Sequence, residues 1–145
     1  MTDWDRWFLD IAKVVATKAK DPSTKVGAVI ADDKNRLVSV GYNGYPRGIP
    51  DEGMDNREEK LMKTIHAEEN AILFSKRDLT GCTLYVYPFF VCGPCMSKIV
   101  QTGISRVVCE VEDPNSSVVK RWEKSTNVAL EIARKAGIEV ILVEP

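Results

Sequence analysis

The chain's only histidine, His66, opens the triplet His66-Ala67-Glu68, and its only closely spaced cysteines form Cys92-Gly93-Pro94-Cys95. One imidazole and two thiolates make three soft-to-borderline ligands, the donor set of a zinc site that keeps its fourth position for water or substrate; structural sites normally hold four protein ligands. No second histidine exists, and Cys82 would have to turn out of a strand to act as a fourth ligand. A zinc ion held this way lowers the pKa of bound water from 15.7 toward about 7, which makes hydroxide available at neutral pH. Glu68 lies two residues after His66, and on a regular helix the two side chains would diverge by about 200°. Only at a helix start do both face one centre, with His66 on the metal and Glu68 beside the water as a proton carrier. Adjacent Glu69 then points elsewhere and reads as a solvated or structural group.

The surrounding pattern supplies such helix starts. Residues 3–20 carry Trp4, Phe8, Ile11, Val15 and Ala19 at three- and four-residue steps, which predicts a helix with one buried face. Residues 26–31 and 37–42 are β-branched and apolar around the turn residues Asp32-Asp33-Lys34-Asn35, which predicts a hairpin. Residues 43–56 hold five Gly and Pro and form a loop. Helices are expected at 57–75, 93–102 and 116–136, and strands at 82–87, 104–109 and 138–143. The helix at 116–136 places Val118, Trp122, Ala129, Ile132 and Ala136 on one side, and Trp122 is assigned to the helix-to-sheet core. Strands that alternate with crossover helices after a hairpin predict a three-layer α/β/α sandwich around a five-stranded mixed sheet.

The whole-chain properties narrow the function classes. With 145 residues, 44% hydrophobic and 28% charged, residues 1–145 are expected to form a single domain. Twenty basic and twenty-one acidic residues leave a net charge of −1, which gives no general attraction to a nucleic-acid polymer or an anionic membrane. No apolar run approaches the roughly 20 residues of a membrane span and the N-terminus lacks a signal-peptide pattern, so a cytoplasmic protein with reduced cysteines is expected. A small-molecule partner fits these properties best.

The motifs His66-Ala67-Glu68 and Cys92-Gly93-Pro94-Cys95, together with Asp21-Pro22-Ser23-Thr24-Lys25-Val26-Gly27, Gly41-Tyr42-Asn43-Gly44-Tyr45-Pro46 and Gln101-Thr102-Gly103-Ile104, resemble the zinc-dependent cytidine and deoxycytidylate deaminases over nearly the whole chain. The resemblance implies a cytidine-deaminase-like fold and one zinc per chain on His66, Cys92 and Cys95. It further implies hydrolysis of a pyrimidine nucleotide, dCMP to dUMP plus ammonia, by zinc-bound hydroxide, with Glu68 moving the protons. It places Asn43 at the sugar and nearby phosphate, Ser23 by the phosphate and the Ala67 backbone at the base. Lys25 and Val26 complete the expected substrate contacts, with Arg47, Lys120 and Arg121 as reserve cations. A homo-oligomer with shared pockets is also implied.

Two features depart from the family pattern. One extra residue precedes Cys92, and Val91 stands where the family has proline, beside the base. Residues 45–65 contain no Cys or His, so the family's additional zinc site is not expected. Deamination of another nucleoside, nucleotide or base, of cytidine, adenine or guanine type, is the alternative within the class. A thioredoxin-like Cys92/Cys95 redox protein is the alternative outside it.

Overall fold

Asp32 starts the sheet by folding the chain back on itself. Its Oδ1 accepts hydrogen bonds from the backbone N–H groups of Lys34 and Arg36, both at 2.9 Å. That turn joins β1 (Gly27–Ala31) to β2 (Leu37–Tyr42) as the expected antiparallel hairpin. In the computed structural model, which describes residues 1–144, β3 (Thr83–Tyr87) pairs antiparallel with β1. β4 (Arg106–Glu110) and β5 (Glu139–Val143) then add in parallel. The order β2-β1-β3-β4-β5 is a five-stranded mixed sheet.

Alternate residues of the central strands feed two separate cores. Val29, Ala31, Tyr85, Tyr87 and Val108 face helix α1 (Asp3–Ala16), which contributes Phe8, Leu9, Ala12 and Ala16. Ala28, Ile30, Leu84, Val86, Val107 and Cys109 face the opposite layer. That layer contains α3 (Ala67–Ser75), α4 (Gly93–Gln101) and α6 (Glu123–Ala136); the short helix α2 (Arg57–Lys63) precedes α3, and the short helix α5 (Ser117–Arg121) precedes α6. The period of two along buried strands thus yields the predicted three layers.

Close backbone approach sets the height of the helices above the sheet. A Cβ at Gly41 would stand 2.4 Å from the Ala71 nitrogen and 2.5 Å from the Ala67 carbonyl oxygen, so only glycine lets the first turns of α3 rest on β2. On the other face Asp5, buried, accepts hydrogen bonds from Tyr85 Oη (2.8 Å) and from both Arg106 terminal nitrogens (2.7 and 2.6 Å). The Arg106 guanidinium holds the Asp5 carboxyl well below the usual carboxylate range.

Three boundaries differ from expectation. Helix α1 ends at Ala16 because the N–H groups of Thr17, Lys18 and Ala19 turn to carbonyls three residues back. The helix expected over 57–75 is broken at Thr64–His66, where Ile65 forms a two-way backbone bridge with Gly44 (2.8 and 3.1 Å). The helix expected over 116–136 breaks at Trp122, whose φ of −96° and ψ of 6° leave the helical range. Among the described residues no helix is long and apolar enough to cross a membrane.

Candidate active site

The break at Thr64–His66 creates the site. Because Ile65 is held extended against Gly44, His66 becomes the residue that begins α3, and Glu68 sits in that helix's first turn. The His66 backbone N–H donates to Glu69 Oε1 at 2.9 Å, and Lys98 of α4 binds the second Glu69 oxygen. Glu69 is therefore a structural bridge from the start of α3 to the last turn of α4, as expected. Cys92 begins α4, with Pro94 and Cys95 in its first turn. Proline is tolerated there because the first-turn N–H groups have no intrahelical partner.

The two helix starts bring the three ligands together. His66 Nδ1 lies 3.0 Å from Cys95 Sγ and 3.5 Å from Cys92 Sγ, and the donor atoms of all three residues lie within 4.8 Å of one another. Bonds of about 2.0 Å to nitrogen and 2.3 Å to sulfur at tetrahedral angles would separate N and S by roughly 3.5 Å, so the donor set fits zinc. No other metal-ligating cluster occurs among the described residues, and Cys82 lies outside this one.

The electrostatics favour one deprotonated sulfur, that of Cys92. The Cys92 thiol is lowered by the hydrogen bond Cys95 directs to it and then by His66, while Cys95 is raised by giving that bond and by burial. The pair shares one proton that a divalent cation would displace. His66 is pushed up to about 9, first by its bond to Cys92. Glu68 is 5% exposed, and burial raises its carboxyl to about 7. A carboxyl poised near neutrality is suited to both taking up and giving back a proton.

Two adjoining cavities complete the site. The larger, about 310 Å³, contains His66, Glu68 and Cys92, with Phe89, Phe90, Val111 and Val119 among its apolar walls. The extra residue before Cys92 therefore lies in a segment that delivers two phenyl rings to the cavity, while Val91 itself is fully buried in the core. The smaller, about 120 Å³, is cationic: Lys60, Arg57 and Arg121 line it with Asp21, Ser23 and Asn43. Lys60 Nζ donates to Ser23 Oγ at 2.7 Å and lies 3.3 Å from Asp21 Oδ1. Asp21 also accepts from the Ser23 and Thr24 N–H groups (2.8 and 3.1 Å).

Of the residues expected at substrate, Ser23, Asn43 and Ala67 line the smaller cavity. Lys25 is exposed and lines neither cavity. Val26 also lines neither, and its N–H is engaged by Asn43 Oδ1 at 2.8 Å. The Asn43 Nδ2 donates to the Thr24 carbonyl at 3.1 Å, so its side chain braces the loop that shapes the cavity wall. Among the reserve cations Arg121 is in place, whereas Arg47 and Lys120 lie outside both cavities. Lys60 had no distinguishing signal among twenty basic residues; only the folded Asp21–Ser23 turn singles it out. Trp122 corrects an expectation: it is 38% exposed and lines both cavities instead of the core.

Comparison with known proteins identifies the arrangement. Residues 2–111 match the family model "Cytidine and deoxycytidylate deaminase zinc-binding region". The chain is 48% identical over 141 residues to an uncharacterized deaminase of the luxG 3′ region of Aliivibrio fischeri, covering 97% of this chain and 93% of that one. It is 41% identical over 118 residues to a probable deoxycytidylate deaminase of Drosophila melanogaster, covering 72% of this chain but only 58% of that protein's length. The fold superposes on dCMP deaminase from the cyanophage S-TIM5 with a TM-score of 0.77 at 20% identity, over 99% of this chain and 100% of that one. A redox dithiol at Cys92 and Cys95 would need neither His66, whose Nδ1 meets both sulfurs, nor Glu68, which lines the same cavity as His66 and Cys92, and the chain belongs to the cytidine and deoxycytidylate deaminase zinc-binding family.

Proposed function

We propose that the chain hydrolyses the exocyclic amine of a pyrimidine deoxynucleotide, converting dCMP and water to dUMP and ammonia. His66, Cys92 and Cys95 would hold the zinc, which when bound supplies a Lewis acid that makes water nucleophilic near neutral pH. The buried Glu68 carboxyl takes a proton from the attacking water and delivers it to N3 of the ring. Glu68 then takes the remaining proton of the hydroxyl now on C4 and passes it to the amine, so that C4–O becomes the carbonyl as the C4–N bond breaks and ammonia leaves. Phe89 and Phe90 supply apolar surface for the base and keep water from the reacting edge.

The observation that favours a nucleotide over a nucleoside is the cationic cavity beside the metal-side one. Lys60, Arg57 and Arg121 surround a space that shares walls with the reaction centre, and Lys60 is already tethered to the Ser23 hydroxyl. A dianionic phosphate would gain charge-assisted hydrogen bonds there. The test is ammonia release by zinc-loaded protein from cytosine, adenine and guanine substrates as bases, nucleosides and monophosphates. The largest kcat/KM is expected for dCMP. Equal values for dCMP and deoxycytidine would overturn the phosphate assignment, and a larger value for a purine would overturn the base assignment.

A further inference from the structure

The two cavities share four lining residues: Thr24, His66, Val118 and Trp122. If the base enters the cavity with Glu68 and the phosphate enters the one with Lys60, the sugar crosses between them at these four side chains. Trp122 and Val118 are apolar there. Thr24 contributes the one hydroxyl, enough for the 3′-OH that ribose and deoxyribose both carry.

The apolar part of this junction is registered to the metal ligands by the fold. Ser125 Oγ on α6 accepts the Gly93 N–H at 2.9 Å, immediately after Cys92. Trp122 stands one helical turn before Ser125, and its backbone is fixed on both sides. Its N–H points to the Val118 and Val119 carbonyls, and its carbonyl accepts from Thr126. Val118 and Trp122 both follow residue 111, where the match to the family model ends. The wall is therefore supplied by a part of this chain that the shared zinc-binding region does not contain.

We propose that Trp122, with Val118 beside it, is the wall against which the nucleotide's sugar packs, and that it makes the chain select 2′-deoxyribose over ribose. This rests on the function proposed above. A 2′-hydroxyl brought against valine and indole loses its water without gaining a partner, whereas a 2′-methylene gains apolar contact. Trp122 acts through fit and desolvation and moves no proton.

The experiment is to measure kcat/KM of the zinc-loaded protein for dCMP and CMP, alongside calorimetric binding of dUMP and UMP, in wild type, Trp122→Ala and Val118→Ser. Zinc content and thermal unfolding are followed in each. Wild type is expected to favour dCMP by tenfold or more. Trp122→Ala should lower that ratio about tenfold, and Val118→Ser, which offers the 2′-OH a partner, should raise the CMP value and UMP affinity. Should Trp122→Ala fail to fold, the Val118→Ser ratio decides. Unchanged ratios in the folded variants, or a wild type indifferent to the 2′-OH, would overturn the role of this wall while leaving the deaminase reading intact. A wild type that releases ammonia from neither nucleotide would overturn both.

Discussion

Replacing Lys60 by methionine tests the phosphate assignment while retaining most of the side chain's volume. Lys60 is only 14% exposed, bound to Ser23 Oγ at 2.7 Å and paired with an Asp21 carboxylate that is 5% exposed. A hydrogen bond to a charged group contributes about 1.5–3 kcal/mol, and about 1.4 kcal/mol corresponds to a factor of ten. Loss of the ammonium should therefore lower kcat/KM for dCMP by roughly 10- to 100-fold. A second effect has the same sign. Asp21 keeps its bonds from the Ser23 and Thr24 N–H groups but loses its cation, so an unneutralised carboxylate then faces the incoming phosphate. Deoxycytidine, with no phosphate, gains nothing from Lys60 and should keep its kcat/KM within about twofold if the variant folds. The assay is steady-state ammonia release from both substrates by zinc-loaded wild type and Lys60→Met. An equal fall for both would show that the substitution damages the site generally, and no fall for dCMP would remove Lys60 from phosphate recognition.

Four further outcomes follow from the geometry. Glu68→Gln should abolish turnover while leaving zinc content and thermal unfolding near wild type; retention of most of the rate would exclude Glu68 as the proton carrier. Arg106→Met leaves the buried Asp5 carboxylate without its bidentate partner, and urea unfolding at pH 7 should show a loss of about 3 kcal/mol or more. Asp5 is lowered by Arg106, so the stability it contributes is present above the unfolded carboxyl's value near 4 and is lost as pH falls below it. Asp5→Asn should accordingly flatten the acid limb of stability against pH, and an unchanged slope would remove Asp5 as a source of acid sensitivity. Gly41→Ala inserts a methyl 2.4 Å from the Ala71 nitrogen, so it should cost about 2 kcal/mol and weaken zinc retention against a chelator by lifting the start of α3.

The order of elements and the three-layer arrangement were legible because each rests on a local pattern: the β-branched apolar run of Val26–Ala31 and three- and four-residue steps in Trp4–Val15. The metal triad was legible because histidine is unique here and the close cysteine pair is singular. What the chain did not disclose depends on partners distant in sequence. Residues 57–75 contain no glycine or proline, so nothing local marks the break at Thr64–His66; Gly44, some twenty residues away, imposes it by backbone pairing. Trp122 satisfies a helical apolar stripe, yet α5 and α6 part at that residue and turn it to the cavities. Lys60 gains its place only when α2 brings it to the turn at Asp21–Ser23.

The most direct test of the metal assignment is zinc K-edge absorption spectroscopy on protein purified with one equivalent of zinc, compared with Cys95→Ser. A first shell of one imidazole nitrogen, two sulfurs and one further light atom is expected, with one sulfur lost in the variant. A shell of four protein ligands, a shell without sulfur, or a spectrum unchanged by Cys95→Ser would contradict a three-ligand centre at His66, Cys92 and Cys95.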